Sequence, residues 1–415
     1  MIEPRMVARP YPLRVSTAKV PLLLAAISAA ACDQGTSTAG SGGFATTFDT
    51  VGGVVHVTNI GTPPGWQLTP VVSIGPKSLT EQQTPDEFGQ VSAVAIGPDE
   101  TIFVADAINR EVRVFGFDGA HIRTFGREGA GPGEFRSLYS LAWVGDRLIT
   151  FDPVQGRIGE FSADGERLGQ RRTTGGLTGS AANIRFYPVG ENEVFRFAFD
   201  PDAGAQWIGL DNSGATGDTV PFLTAPEDLP GQTGGIFCTW EEGRVGFYGH
   251  TAGAKWVQHP ASGGVMYSAW GYFYRIAVTQ GESDTLRVIE RTLPTEPISD
   301  EEWDAGSAEF DEAMERWPGG SCNPRGYNRP ERASFIDEVF VSTDGKLWVE
   351  VIRADGNRWE FFDPEGRLLG SVPAVPVKER TVPVFRGDHL ATIRQDDMDL
   401  DHVDVWRLER QPARR

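Results

Sequence analysis

The chain has 415 residues, among them 50 Gly, 28 Pro and 11 Trp, and a formal charge of −19. That length can bury a large core, and the composition favours strands and turns over long helices. Residues 1–31 carry +3, so the remainder stands at −22, a surface that repels phosphate backbones and argues against nucleic acid as a partner.

Residues 1–31 read as a signal peptide. Arg5, Arg9, Arg14 and Lys19 form a basic start, and the apolar run Val20 to Ala31 follows. Twelve residues are too few to cross a bilayer as a helix but suit a signal sequence. The junction Ala29-Ala30-Ala31-Cys32 resembles a bacterial lipobox, with Ala29 where Leu is usual. That resemblance implies that Cys32 is lipidated and that the membrane is a partner through the anchor. Ordinary signal cleavage near Ala31 is the alternative. Residues 32–53 are Gly/Ser/Thr-rich and read as a lipidated Cys followed by a flexible tether. A single domain is expected over 54–410, opening with the short strands Val54–Asn59 and Leu68–Ile74.

The strongest pattern runs from Thr101 to Phe135. Thr101–Ala105 is an apolar run of strand length, and Glu111–Phe115 and His121–Phe125 alternate on either side of Asp118-Gly119. An Asp-Gly pair between alternating runs predicts a tight hairpin, because Gly reaches a positive φ without strain. The glycine-rich stretch Gly126–Gly133 follows. Asp106, Val112, Phe115, Asp118, Gly119 and Ile122 match Asp152, Ile158, Phe161, Asp164, Gly165 and Leu168, each pair 46 residues apart. Phe362, Glu365, Gly366 and Leu369 form a looser third copy. A period of about 40 to 50 residues with several strands per unit is the signature of a β-propeller blade.

The same stretch resembles an NHL-type repeat in Ala105-Asp106, Asn109-Arg110, Val112-Arg113-Val114-Phe115, Asp118-Gly119 and Gly131-Pro132-Gly133-Glu134-Phe135. The close match covers Phe88 to Phe135. The second copy has Gln155-Gly156 in place of Asn109-Arg110 and lacks the Gly-Pro-Gly. The resemblance implies a six-bladed propeller of the bacterial cell envelope, a family that includes lipoproteins.

The fold expected is therefore all-β: a propeller of six blades, with seven as the alternative. Blades are read at 88–126, 136–172, 183–223, 244–291, 334–372 and 382–408. In propellers of this type an N-terminal strand often completes the last blade, which fits the three C-terminal strands. The stretch 223–291 is ambiguous, because Ile236–Trp240 and Arg244–Gly249 suit either the third or the fourth blade. The many strand aromatics read as packing between twisted blades rather than a ligand cage. One segment breaks the β pattern. Ser299 and Glu302 form a capping box, Pro318-Gly319-Gly320 ends the run, and Trp303, Phe310, Met314 and Trp317 share a helical face, so one amphipathic helix is expected at about 299–317.

With Cys32 assigned to the leader, Cys238 and Cys322 are an isolated pair in an exported chain, and a disulfide is expected. Two free buried thiols are the alternative. No HExxH, GxSxG or zinc-spaced Cys/His cluster occurs, so no catalytic residue is named. Gly126–Gly133 lacks the Lys-Ser/Thr ending of a phosphate loop and reads as a crossover. Asp397, Asp399 and Asp401 are weak metal candidates: they match three alternating calcium ligands, but His402 stands where the loop needs Gly and Leu408 where it needs Glu. No cofactor is expected, with calcium as the weaker alternative.

The functional expectation is a lipid-anchored envelope scaffold, facing the periplasm or cell exterior, that binds an unidentified envelope protein or small ligand. The alternative is a metal-dependent lyase or lactonase-like hydrolase with its site in the central channel, which the fold equally permits.

Overall fold

The computed structural model describes residues 43–76, 84–173, 185–200, 204–213, 215–225, 229–231, 235–241, 245–249, 252–281, 284–325 and 329–411. The leader and Cys32 lie outside them. The first three strands are β1 (Ala45–Val51), β2 (Val54–Ile60) and β3 (Trp66–Ile74). Blade 1 follows as β4 (Val91–Ile96), β5 (Thr101–Asp106), β6 (Glu111–Gly116) and β7 (His121–Phe125). Blade 2 is β8 (Ser140–Val144), β9 (Arg147–Asp152), β10 (Arg157–Phe161) and β11 (Arg167–Arg172). Blade 3 is β12 (Phe186–Val189), β13 (Glu193–Asp200), β14 (Gly204–Asp211) and β15 (Thr216–Pro221).

After blade 3 the chain forms β16 (Gly235–Thr239) and β17 (Val245–Gly249), then blade 4 as β18 (Trp256–Ala261), β19 (Val265–Trp270), β20 (Arg275–Gln280) and β21 (Asp284–Arg291). Two helices, α1 (Asp300–Ala305) and α2 (Ala308–Arg316), and β22 (Ser321–Arg325) precede blade 5. Blade 5 is β23 (Ile336–Val341), β24 (Leu347–Val351), β25 (Arg358–Phe362) and β26 (Leu368–Pro373). Blade 6 is β27 (Val384–Arg386), β28 (His389–Gln395) and β29 (Asp401–Arg410), completed on its outer edge by β3.

Six antiparallel blades thus form a propeller, and the N-terminal β3 pairs with the C-terminal β29 to close it. The sequence pattern follows from this packing. The first three strands of a blade are covered on both faces by neighbouring blades, so they read as apolar runs, and β4, β5, β8 and β9 are almost wholly buried. The fourth strand lies at the rim, so β7 and β11 are largely exposed and polar.

The repeat occupies equivalent places in three blades. Phe115, Phe161 and Phe362 stand at or next to the end of the third strand of their blades and are buried at 1%, 3% and 0% exposure. Each packs on the preceding blade: Phe115 with Ile393 and Val405, Phe161 with Phe103 and Val114, Phe362 with Ile276 and Ile289. The Asp-Gly turns are not the two-residue type. Gly119 and Gly165 donate back to Gly116 and Ser162, while the strands close one residue later through Gly116 to Ala120 and Ser162 to Glu166. Each is a type I turn ended by a left-handed Gly, at φ +80° and +82°. Space adds to this at Gly165, where an added Cβ would lie 2.6 Å from Phe125; at Gly119 it would meet Val72 at 3.2 Å, a milder crowding.

Asp106 and Asp152 finish the second strand and are fully buried. Asp106 accepts from the backbone of Gly89, Gln90 and Asn109 and from the Asn109 amide; Asp152 accepts from Arg136, Ser137 and Gln155 in the same way. The substitution of Gln155-Gly156 for Asn109-Arg110 therefore preserves the bonding. Gly156 takes the left-handed φ of +55° that Arg110 holds at +57°.

Four expectations need correction. β1 lies within the stretch read as tether; its hairpin with β2 adds to blade 4, β2 running parallel to β21, and makes a six-stranded sheet. Ile236–Trp240 and the strand after it belong to neither blade 3 nor blade 4. β16 pairs with β17 on one side and with β22, some 80 residues later, on the other. Blade 4 consequently starts at Trp256 rather than near 244. The single helix is two: the capping box of Ser299 and Glu302 starts α1, and Gly306 and Ser307 break the run before α2. The second helix is tied to the side sheet. Trp240 Nε1 donates to the Trp317 carbonyl at 2.7 Å, and Met314 Sδ lies 3.7 Å from Cys322 Sγ.

Candidate functional site

The innermost strands line the centre of the ring. Where β4, β8, β12 and β27 meet, a small cavity of about 20 Å³ is lined by Val94, Leu141, Phe186 and Val384 among others. A second cavity, of about 550 Å³, is lined by residues of blades 3, 4 and 5 and by the segment 374–382, which joins β26 to β27. That segment is pinned by Lys378, whose ammonium contacts both carboxylate oxygens of Asp401 at 2.7 and 2.8 Å.

The cavity lining is charged. Arg185 and Tyr187 come from the start of blade 3, Lys255 from the approach to β18, Asp337 and Glu338 from β23, and Glu350 from β24. Glu338 and Glu350 are direct cross-strand partners, one residue past a bulge in β23. Blade 1 has the same bulge, and there the paired residues are Ala93 and Ala105. Blade 5 thus places two carboxylates where blade 1 places two alanines, and like charges directly opposite each other are destabilising.

The electrostatics follow. Burial and the neighbouring Asp337 push the Glu338 carboxyl up to about 7, against the pull of the Val339 N–H and Lys255. Burial likewise raises Glu350, although the Asn357 amide donates to it at 3.1 Å. Burial lowers Arg185 and raises the Tyr187 phenol to about 12. Lys255 is held at 2.6 Å by Asp337, which lifts its ammonium despite burial. Perturbed carboxyls facing a polar cavity mark it as the leading candidate site. A third cavity of about 420 Å³ lies beside Arg291 and Glu360, but its base is internally satisfied: Arg291 and the Tyr274 hydroxyl, the latter at 2.7 Å, both bind Glu360.

The residues singled out in the sequence serve other purposes. Cys238 and Cys322 face each other across β16 and β22 in a disulfide with Cα atoms 4.1 Å apart. Asp118, Gly119, Asp164 and Gly165 form the rim turns described above. Asp401 is committed to Lys378 and to the Val91 N–H, while Asp397 and Asp399 stay exposed in a turn organised by Asp396, which accepts from Met398, Leu400 and His402. Among the described residues no group of three His, Cys, Asp or Glu side chains is placed to hold a metal ion. In the glycine-rich crossover Glu134 takes the Gly131 N–H at 2.8 Å, the kind of donor a phosphate would need.

Sequence reading missed Arg185, Tyr187, Lys255, Glu338 and Glu350. A signal existed in β23, whose IDEVFV carries two adjacent acids in a strand whose counterpart in blade 1 is VSAVAI.

The family comparison supports the architecture. A family described as a 6-bladed beta-propeller matches residues 81–189, which span blade 1, blade 2 and the inner strand of blade 3. No curated protein matches the chain. Among solved structures it is similar to a member of a domain family of unknown function from Bacteroides vulgatus, at 9% identity and a TM-score of 0.44 over 84% of this chain and 100% of that one. It is also similar to a protein from Bacteroides fragilis described as exported, at 11% identity and a TM-score of 0.41 over 84% and 95%. A catalytically inactive virginiamycin B lyase from Staphylococcus aureus, solved with quinupristin, is similar at 9% identity and a TM-score of 0.38 over 83% and 99%. Among the described residues no helix is long and apolar enough to cross a membrane. The chain is a β-propeller of six blades, and its first two blades carry the likeness to the propeller family.

Proposed function

We propose that this chain is an exported, lipid-anchored propeller of NHL-type lineage that works as a binding scaffold and takes a small polar ligand in the 550 Å³ cavity. The observation that carries the reading is the Glu338–Glu350 pair in the register where blade 1 has Ala93 and Ala105. A packing role would favour the alanines. Two carboxylates set opposite each other beside a cavity cost stability, and such perturbed pairs cluster at functional sites. Export and anchoring rest on the basic leader, its short apolar run and Cys32.

Two experiments test this. A library of small polar molecules should raise the melting temperature of the purified chain, and E338A/E350A should abolish that response while leaving the fold intact. A library without a single stabilising member would defeat the cavity assignment. Cys32→Ser should move the protein from the membrane fraction to the soluble exported fraction. Retention in the membrane with no acyl group on mass spectrometry would defeat the anchor.

A further inference from the structure

The outer edges of the blades are guarded, and the edge added to blade 4 is not. In every blade the fourth strand joins the third across a bulge. A bulge twists an outer strand away from pairing with another chain. Further guards are present: β11 carries Arg167, Arg171 and Arg172, and Pro70, Pro221 and Pro373 stand in β3, β15 and β26. On blade 4 the fourth strand is covered by the β1–β2 hairpin, so β1 becomes the outer edge. It pairs with β2 over seven residues without a break. Its sequence, ATTFDTV, holds no Pro, Lys or Arg, and Phe48 and Val51 are 47% and 58% exposed.

The direction of the β1 backbone follows from its turn. Gly52-Gly53 is a two-residue loop with both φ positive, which makes Val51 and Val54 the closing hydrogen-bonded pair. Ala45, Thr47, Asp49 and Val51 therefore turn their backbone groups to β2, and Thr46, Phe48 and Thr50 turn theirs outward. Among the described residues no backbone group meets these outward ones; the Thr50 N–H is held by Asp49 Oδ1 at 2.8 Å.

We propose that β1 is a dimer edge, occupied by β1 of a second copy of this chain, antiparallel and centred on Phe48. In that register Phe48 lies opposite its own counterpart, and Thr46 lies opposite Thr50. Outward residues meet outward residues at all three places, each pair able to exchange two hydrogen bonds. Asp49, the one charge in the strand, lies opposite Thr47. Centring on Asp49 would oppose two carboxylates, and centring on Thr47 would set Thr50 opposite Phe44, outside the strand. The two Phe48 rings become a cross-strand aromatic pair and cover apolar surface now left to water. A second copy also closes the contact: two six-stranded sheets fuse into one, and neither keeps β1 open for a third chain. The edge lies at the far end of its sheet from β18, whose Gln258 lines the 550 Å³ cavity, so this contact is independent of that site.

The test uses the full exported chain with Cys32→Ser, purified in solution. Sedimentation should show a reversible monomer–dimer equilibrium. It should shift toward dimer as salt rises, because copies that carry −22 beyond residue 31 repel each other. Phe48→Pro removes an outward N–H and no hydrogen bond of the hairpin. It should weaken dimerisation about tenfold and leave the melting of the dilute monomer unchanged. Disulfide trapping reads the register. Thr47 and Asp49 of opposite copies would form a non-hydrogen-bonded pair with Cα atoms about 4.5 Å apart, within disulfide reach. Thr47→Cys chains mixed with Asp49→Cys chains should cross-link on oxidation, and either variant alone should not. A chain that stays monomeric at every concentration reached would overturn the proposal. So would a dimer that ignores Phe48→Pro and gives no mixed cross-link, since it would use another surface. Where Phe48→Pro disturbs the hairpin, the mixed cross-link decides: trapping supports the pairing, and its absence overturns it.

Discussion

The ring of blades and the side module, β16, β17, β22 with α1 and α2, are held together by different means. In the ring, burial does the work: Phe103, Phe115, Phe195, Trp359 and Phe362 have 1% exposure or less, and each blade is the dry surface for its neighbour. The side module has little interior. Ile236 and Cys238 are buried on one face of β16, while Phe237 and Val245 are 47% and 63% exposed, and α2 buries only Ala313. Its order comes from a disulfide, one Trp–Trp contact and a capped helix. A repeated unit gains a core from its copies, whereas an excursion that cannot do so needs covalent and local devices.

The largest expected effect separates the two directly. Phe161→Ala should cost about 3 to 5 kcal/mol, because the ring is fully packed between blades 1 and 2. Phe237→Ala, on the exposed face of β16, should cost under about 0.5 kcal/mol. Chemical denaturation of the two variants checks this, and equal losses would erase the distinction.

Next comes the disulfide. Cys238 and Cys322 enclose all of blade 4, so the bridge restrains the chain on both sides of that blade. Replacing both with Ser should cost about 2 to 4 kcal/mol in the loop-entropy account. The loss should appear first in the module: hydrogen exchange should speed up in β16 and β22 and leave β4 to β6 protected. Uniform loss of protection would mean that module and ring unfold as one unit.

A smaller effect resolves differences within the ring. Gly165 and Gly119 share a left-handed φ, so Val at either site carries a backbone cost of about 1 to 2 kcal/mol. Only at Gly165 does the new Cβ fall 2.6 Å from a ring, that of Phe125; at Gly119 it meets one methyl of Val72 at 3.2 Å. Gly165→Val should thus exceed Gly119→Val by about 1 to 3 kcal/mol, the cost of overpacking. Thermal melts that rank them the other way would refute the steric part.

The same comparison explains what was legible. The architecture could be read because blades 1 and 2 repeat Asp106, Phe115 and Gly119 at a fixed offset, and a repeat is a long-range signal written locally. The side sheet could not be read: β16 finds its partner β22 across the whole of blade 4, and neither strand carries a period that points to the other. β1 was concealed by its composition, since ATTFDTV continues a Thr-rich tether and its pairing with β2 is mostly exposed. Helix breakage at Gly306 was visible as a glycine but outweighed by the apolar stripe on either side. The cavity was hidden for another reason. Acids in a strand normally signal a solvated face, and only the ring geometry turns Glu338 and Glu350 inward.

The smallest expected effect tests whether local devices sustain the module. α1 has six residues, too short to persist alone, and none of them is buried. Its start is fixed by Ser299, whose hydroxyl accepts from the Glu302 N–H at 3.1 Å, while the Glu302 carboxylate accepts from the Ser299 N–H and hydroxyl, each at 2.8 Å. Those bonds hold the Glu302 carboxyl below its usual range, the Ser299 N–H most strongly. Ser299→Ala removes the hydroxyl and should cost about 1 kcal/mol. The change should be confined to amides at the start of α1 and leave the ring's melting unchanged. A carboxyl lowered on folding contributes stability above its unfolded pKa and loses it as pH falls through the folded one. The wild-type advantage over Ser299→Ala should therefore shrink on acidification as the Glu302 carboxyl takes up its proton. An advantage that persists in acid would locate the cap's contribution in the Ser299 hydroxyl alone.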